Sequence, residues 1–185
     1  MSASGSGRRR SGMRLEDRSW ERVAGPTTSF DEQLAELPNG WHLVTEIDLG
    51  DRRRPVGHVV VGPGGVFVLA AAEHRTDRIW VRGDGFLVNG RWVPYLRELR
   101  REVDRVDRVL STALGTAVAV RGAVVLLADP AHCAIKRQPD DVHVAAPGTL
   151  NAWLGELAKT HSDAFVDRIH TVLRRSSAWD AARAG

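Results

Sequence analysis

The chain has 185 residues, 43% of them hydrophobic and 26% charged, ordinary values for one soluble globular domain. Its single cysteine, Cys133, excludes an intrachain disulfide, and no apolar run reaches the roughly 18 residues of a membrane span. The formal charge of +3 sits in residues 1–29, with six arginines against three acids, so the rest of the chain is balanced and lacks the overall basic field of a DNA-coating protein.

Residues 1–29 are rich in Ser, Gly and Arg and poor in large apolar groups, which predicts a disordered basic arm, with Trp20 and Val23 as local docking points. Arg8-Arg9-Arg10 has no apolar stretch behind it, so the arm does not read as a secretory signal, and the expected location is cytoplasmic. Residues 30–185 are expected to form a single α/β domain. Phe30, Leu34 and Leu37 fall at helical spacing, with Ser29 or Asp31 as N-cap and Pro38-Asn39-Gly40 as the stop. Residues 41–48 read as a first strand, 55–61 as a second and 65–71 as a third. Val59-Val60-Val61 and Val66-Phe67-Val68-Leu69 are continuous apolar runs, as strands covered on both faces require. Residues 79–81, 86–88 and Trp92 read as short strands around Gly83-Asp84-Gly85 and Asn89-Gly90, with Trp80 and Trp92 packing that hairpin.

Pro94 suits the first turn of a long helix in which Leu96, Leu99, Val103, Val106, Leu110 and Ala113 form one apolar stripe, closed by Gly115. Residues 117–128 predict a central strand parallel to the third, reached by a right-handed crossover. His132 and Cys133 read as loop, 142–145 as a further strand, Pro147 as the start of a helix bearing Trp153, and Phe165 to Leu173 as part of a last helix.

The stretch Gly57-His58-Val59-Val60-Val61-Gly62-Pro63-Gly64-Gly65-Val66-Phe67-Val68-Leu69-Ala70-Ala71-Ala72 carries a resemblance. It is similar to the nuclease-related domain (NERD) family, which writes this region as Asp-His, an apolar strand, Gly-Pro-x-Gly, a second apolar strand and Glu-x-Lys. The resemblance spans about residues 41–128. It implies a restriction-endonuclease-like fold, a mixed β-sheet flanked by helices. It also implies a metal-dependent nuclease site in which two carboxylates hold a hard cation such as magnesium and a lysine assists. Here the first acid is Gly57 and the Glu-x-Lys is Ala70-Ala71-Ala72. The only lysines, Lys136 and Lys159, lie on neither strand.

Three readings follow. In the first, the domain is a catalytically degenerate binding or structural module, associated with nucleic acid, without cofactor or metal. In the second, an active nuclease with magnesium uses relocated ligands drawn from Glu73, His58, Glu46 and Asp48. Against relocation, Glu73 lies three residues beyond Ala70, and odd spacing on a regular strand reverses the face. Glu32 and Glu36 match the place of a supporting acid in related nucleases, or else form a solvated helix face. His132, Cys133 and Asp129 fall short of a zinc ligand set. Arg52, Arg53 and Arg54 form a positive turn, and Arg8, Arg9 and Arg10 a positive arm; both are candidate phosphate contacts. A third reading makes the arm a protein-interaction element. Gly62-Pro63-Gly64-Gly65 lacks the lysine and following helix of a phosphate loop and reads as a turn.

Overall fold

The computed structural model describes residues 29–50 and 53–178. The basic arm up to residue 28, with Arg8, Arg9, Arg10, Trp20 and Val23, lies outside the described residues, as does Arg52. Helix α1 (Phe30–Ala35) starts in a capping box: the Ser29 hydroxyl accepts the Glu32 N–H, and the Glu32 carboxylate accepts the Ser29 N–H at 2.7 Å. The helix ends before Leu37, because a residue preceding proline disfavours helical dihedrals.

Three strands follow, β1 (His42–Ile47), β2 (Val56–Gly62) and β3 (Gly65–Glu73), paired antiparallel in sequence. The hairpin between β2 and β3 is the one the Gly-Pro-Gly-Gly turn predicts. Its glycines are needed for packing: a Cβ on Gly62 would overlap the indole ring of Trp41, and one on Gly64 would collide with Leu157. The Pro63 carbonyl accepts the N–H groups of Thr160 and His161, which ties the turn to the far end of the chain. Gly62→Ala is therefore expected to cost about 1–3 kcal/mol through overpacking, measured by urea denaturation; an unchanged midpoint would contradict the close approach.

Short strands β4 (Ile79–Arg82), β5 (Gly85–Val88) and β6 (Arg91–Trp92) lead into helix α2 (Tyr95–Leu114), which has Pro94 as its N-cap residue. Gly115 adopts φ 66° and ends the helix in a left-handed cap. Strand β7 (Val120–Leu127) pairs parallel to β3, as expected for the crossover. Strands β8 (Cys133–Arg137) and β9 (Val142–Ala145) precede helices α3 (Leu150–Glu156) and α4 (Asp163–Ala178).

The main sheet has the order β1-β2-β3-β7-β9, with the last three strands parallel. One face buries Val59, Val61, Val66, Val68, Val124 and Leu126 against α2 and α4. The other buries Val60, Phe67, Leu69, Ala123 and Val125 with Leu34 of α1 and Leu150 and Leu154 of α3. Both faces are thus covered, which accounts for the continuous apolar runs.

Three expectations are corrected. Cys133 is not loop but opens strand β8 (Cys133–Arg137), which runs parallel to β4 and extends the small hairpin into a second, four-stranded sheet of order β6-β5-β4-β8. Its partner lies some fifty residues upstream, and a half-exposed Cys-Ala-Ile-Lys-Arg carries no alternating signal of its own. Pro147 does not start a helix: Gly148 follows it at φ 73°, and α3 begins at Leu150. Trp80 and Trp92 do not pack the hairpin's core. They stand on its outer face, 39% and 58% exposed, while Ile79, Val81, Phe86 and Val88 fill the inner one.

Candidate functional site

The family's catalytic positions meet at one place in the main sheet. The β2–β3 register pairs His58 with Leu69, so the next rung sets Gly57 opposite Ala70. The β1–β2 register pairs Thr45 with His58 and Ile47 with Val56, so the rung between them sets Glu46 opposite Gly57. Glu46, Gly57 and Ala70 thus lie in line across three strands. The Glu46 rung is irregular. Glu46 has φ 50°, and Val44 and Ile47, three residues apart, enter the same core. A Cβ added to Gly57 would meet no atom within 4 Å, so that position borders open space, whereas Ala70 is half-buried and packs against the core on the α2 side. Ala72 is fully buried.

The relocated ligands do not gather around this rung. Glu46 is exposed beside Gly57. His58 meets the ring of Phe30 at 4.9 Å on the α1 side of the sheet. Asp48 accepts the Gly50 N–H at 2.6 Å within its own turn. Strand β3 continues through Glu73, so Glu73 keeps the parity opposite to Ala70, and its carboxylate pairs with Arg75 at 3.0 Å in solvent. Among the described residues no three His, Cys, Asp or Glu side chains converge as a metal site requires. Glycine and alanine offer no oxygen donors at the vacated positions, so the residues present do not fit the magnesium that the family implies.

The other sequence candidates have local roles. Glu32 is held in the capping box, which keeps its carboxyl below its usual range through the Ser29 backbone and hydroxyl. Glu36 is exposed at the end of α1. The Asp129 side chain accepts the Ala131 N–H at 2.8 Å and caps the short turn containing His132. Burial, aided by Asp129, pushes the Cys133 thiol up to about 11, far from a reactive thiolate. Arg53 and Arg54 are exposed, and the Arg54 carbonyl accepts the buried Arg105 guanidinium at 3.2 Å.

Two arrangements have no signal in the sequence. At the end of β3, His74 Nδ1 lies 2.9 Å from Asp77 and Nε2 3.0 Å from the Tyr95 hydroxyl, while Asn89 donates to Asp77 at 2.7 Å. Burial and Glu98 raise the Tyr95 pKa, so the hydroxyl is a poor nucleophile and the chain of bonds fastens β3, the hairpin and α2 together. At the opposite end, His143 stacks on Trp153 at 3.9 Å, and Arg121 covers the Phe67 ring at 4.8 Å. Arg100 grips both carboxylate oxygens of Asp141, each at 2.6 to 2.7 Å, and also reaches Asp84.

Burial lowers the His143 pKa from 6.5 to about 4. The unfolded chain takes up this proton near 6.5, whereas the folded chain resists it until near 4. The stability tied to neutral His143 is therefore present above pH 6.5 and is lost as pH falls towards 4. His143→Phe retains the stack and removes the titration. Its melting temperature should fall less between pH 7 and pH 4 than that of the parent; equal falls would contradict the burial of His143.

A five-stranded mixed sheet, flanked on both faces by helices and joined by a β-hairpin and a β-α-β crossover, is a restriction-endonuclease-like α/β architecture. The family model for the nuclease-related domain (NERD) matches residues 25–127, more than half the chain, and the chain belongs to that family. No curated protein and no solved structure matches the chain. No helix among the described residues is long and apolar enough to cross a membrane.

Proposed function

We propose that this chain is a nuclease-related domain that has given up hydrolysis and acts as a nucleic-acid-binding module. The observation that supports this reading is the rung where Gly57 faces Ala70. The space beside Gly57 remains, and neither position carries a carboxylate. Without converging oxygen donors, the hydrated cation has no reason to shed its water there. Binding by backbone and side-chain contacts needs no such ion. A second reading, an active nuclease with relocated ligands, draws on Glu46, the one acid at this rung. A third, in which the basic arm engages a protein, concerns residues outside those described.

Fluorescence anisotropy with labelled DNA and RNA oligonucleotides tests the binding reading. Binding should weaken with added salt, be indifferent to EDTA, and leave the oligonucleotide at full length. Absence of binding to every oligonucleotide would overturn it, and binding that requires a divalent cation would favour the relocated site.

A further inference from the structure

The outer face of the second sheet departs from the rest of the surface. Trp80 pairs in register with Leu87, and Leu87 with Trp92, so the three side chains stand in a row across β4, β5 and β6. Both tryptophans are exposed and Leu87 is half-exposed. Two inter-strand spacings, about 9–10 Å, separate the indoles. Contiguous apolar surface on an open sheet face, such as this Trp-Leu-Trp row rimmed by charges, marks an interaction site.

Cations cluster beside this row. Arg82 continues the outer face of β4 beyond Trp80 and pairs in register with Arg137 across a bulge that exposes Lys136. None of these three cations has an ion pair among the described residues. At the other end the Arg97 guanidinium lies 5.9 Å from the Trp92 ring. The two acids between residues 77 and 92 are engaged: Asp84 with Arg100, and Asp77 with His74 and Asn89. The chain beyond residue 29 has no net charge, so this cluster is a local excess and not part of a general basic surface.

We infer that this face is a docking platform for single-stranded nucleic acid, with unpaired bases stacking on Trp80 and Trp92 and the phosphates running along Arg82, Lys136 and Arg137. Flat aromatic faces accept any base, and flanking cations track the backbone. A paired duplex hides its base faces and cannot use the indoles. This inference rests on the nucleic-acid reading above and adds the surface and the form of the ligand. The surface is separate from the vacated rung in the main sheet.

The test uses the full chain and fluorescein-labelled oligothymidylate, followed by anisotropy, with a hairpin duplex and polyglutamate as competitors. Oligothymidylate should bind, and polyglutamate should compete poorly. Trp80→Ala and Trp92→Ala should each weaken binding by about fivefold or more. Arg82→Gln with Arg137→Gln should reduce the slope of log K against log salt by about 1.4, at about 0.7 per phosphate contact for a single strand. All four side chains are exposed, so melting temperatures report whether each variant remains folded. If oligothymidylate binds and folded Trp variants bind equally well, this platform is wrong while the nucleic-acid reading stands. If polyglutamate competes as well as the oligonucleotide and the Trp variants weaken both, the surface is a protein-docking face and the platform is again wrong. If neither oligothymidylate nor any other oligonucleotide binds, both readings fail together.

Discussion

A Gly57→Asp, Ala70→Glu double variant should acquire saturable Mn²⁺ binding that the parent chain lacks. Directly opposed residues of an antiparallel pair have Cα atoms about 4.5–5.5 Å apart. Two carboxylates placed there can share one hard cation. Gly57 has no positive φ and no atom near its missing Cβ, so aspartate fits without strain, and Ala70 is half-exposed already. The lysine position behaves differently. Ala72 is fully buried in the core shared with α2, so Ala72→Lys would bury an ammonium and overpack its neighbours, at a cost of about 1–3 kcal/mol for the volume alone. Calorimetric titration with Mn²⁺ separates these outcomes. A folded double variant that gives no binding heat would show that this rung is not where the family's metal ligands belong.

Phe67→Ala should destabilise the fold by about 3–5 kcal/mol, at the upper end for truncation of a buried aromatic. Phe67 is 1% exposed and sits on the α1–α3 face of β3. Its ring meets Trp41 at 5.9 Å and Trp153 edge-on at 5.0 Å, and Arg121 lies over it. Removing the ring takes a partner from each tryptophan and opens a void between the sheet and its helices. Urea denaturation with the parent as reference measures the loss. A loss below about 1 kcal/mol would show that this face collapses around the cavity.

The main sheet was legible because its signals are local. The two valine-rich runs and the glycine-proline turn between them specify a buried hairpin, and the stripe from Leu96 to Leu110 specifies a helix laid along it. Boundaries shifted where a neighbour decided them: Pro38 cut α1 short, and strand pairing to β7 carried β3 through to Glu73. Three strands of the second sheet were legible around their two glycine turns, but the fourth was not, because β8 is defined by a parallel partner far upstream and its own sequence shows no period. The exposure of Trp80 and Trp92 was missed for a related reason. Alternation in β4 tells that Trp80 and Ile79 face opposite ways, but not which face meets the core.

At the candidate site, the sequence located the missing ligands at Gly57, Ala70 and Ala72 but did not place them relative to one another. Register did so, and burial distinguished positions that the sequence treats alike: Gly57 borders open space, Ala70 is half-buried and Ala72 is enclosed. Register also sets Glu46 beside the rung, while His58, Asp48 and Glu73 are held elsewhere. The His74–Tyr95 and His143–Trp153 pairings join residues 21 and 10 positions apart through tertiary packing alone.

The central claim is that hydrolysis has been lost with the carboxylates at positions 57 and 70. A phosphodiesterase assay on the purified full chain, with single- and double-stranded DNA and RNA and a titration of Mg²⁺ and then Mn²⁺, tests it most directly. The account predicts no divalent-dependent cleavage above a protein-free blank. Cleavage that requires the metal and disappears in Glu46→Ala or Glu73→Ala would contradict it and establish a relocated catalytic site.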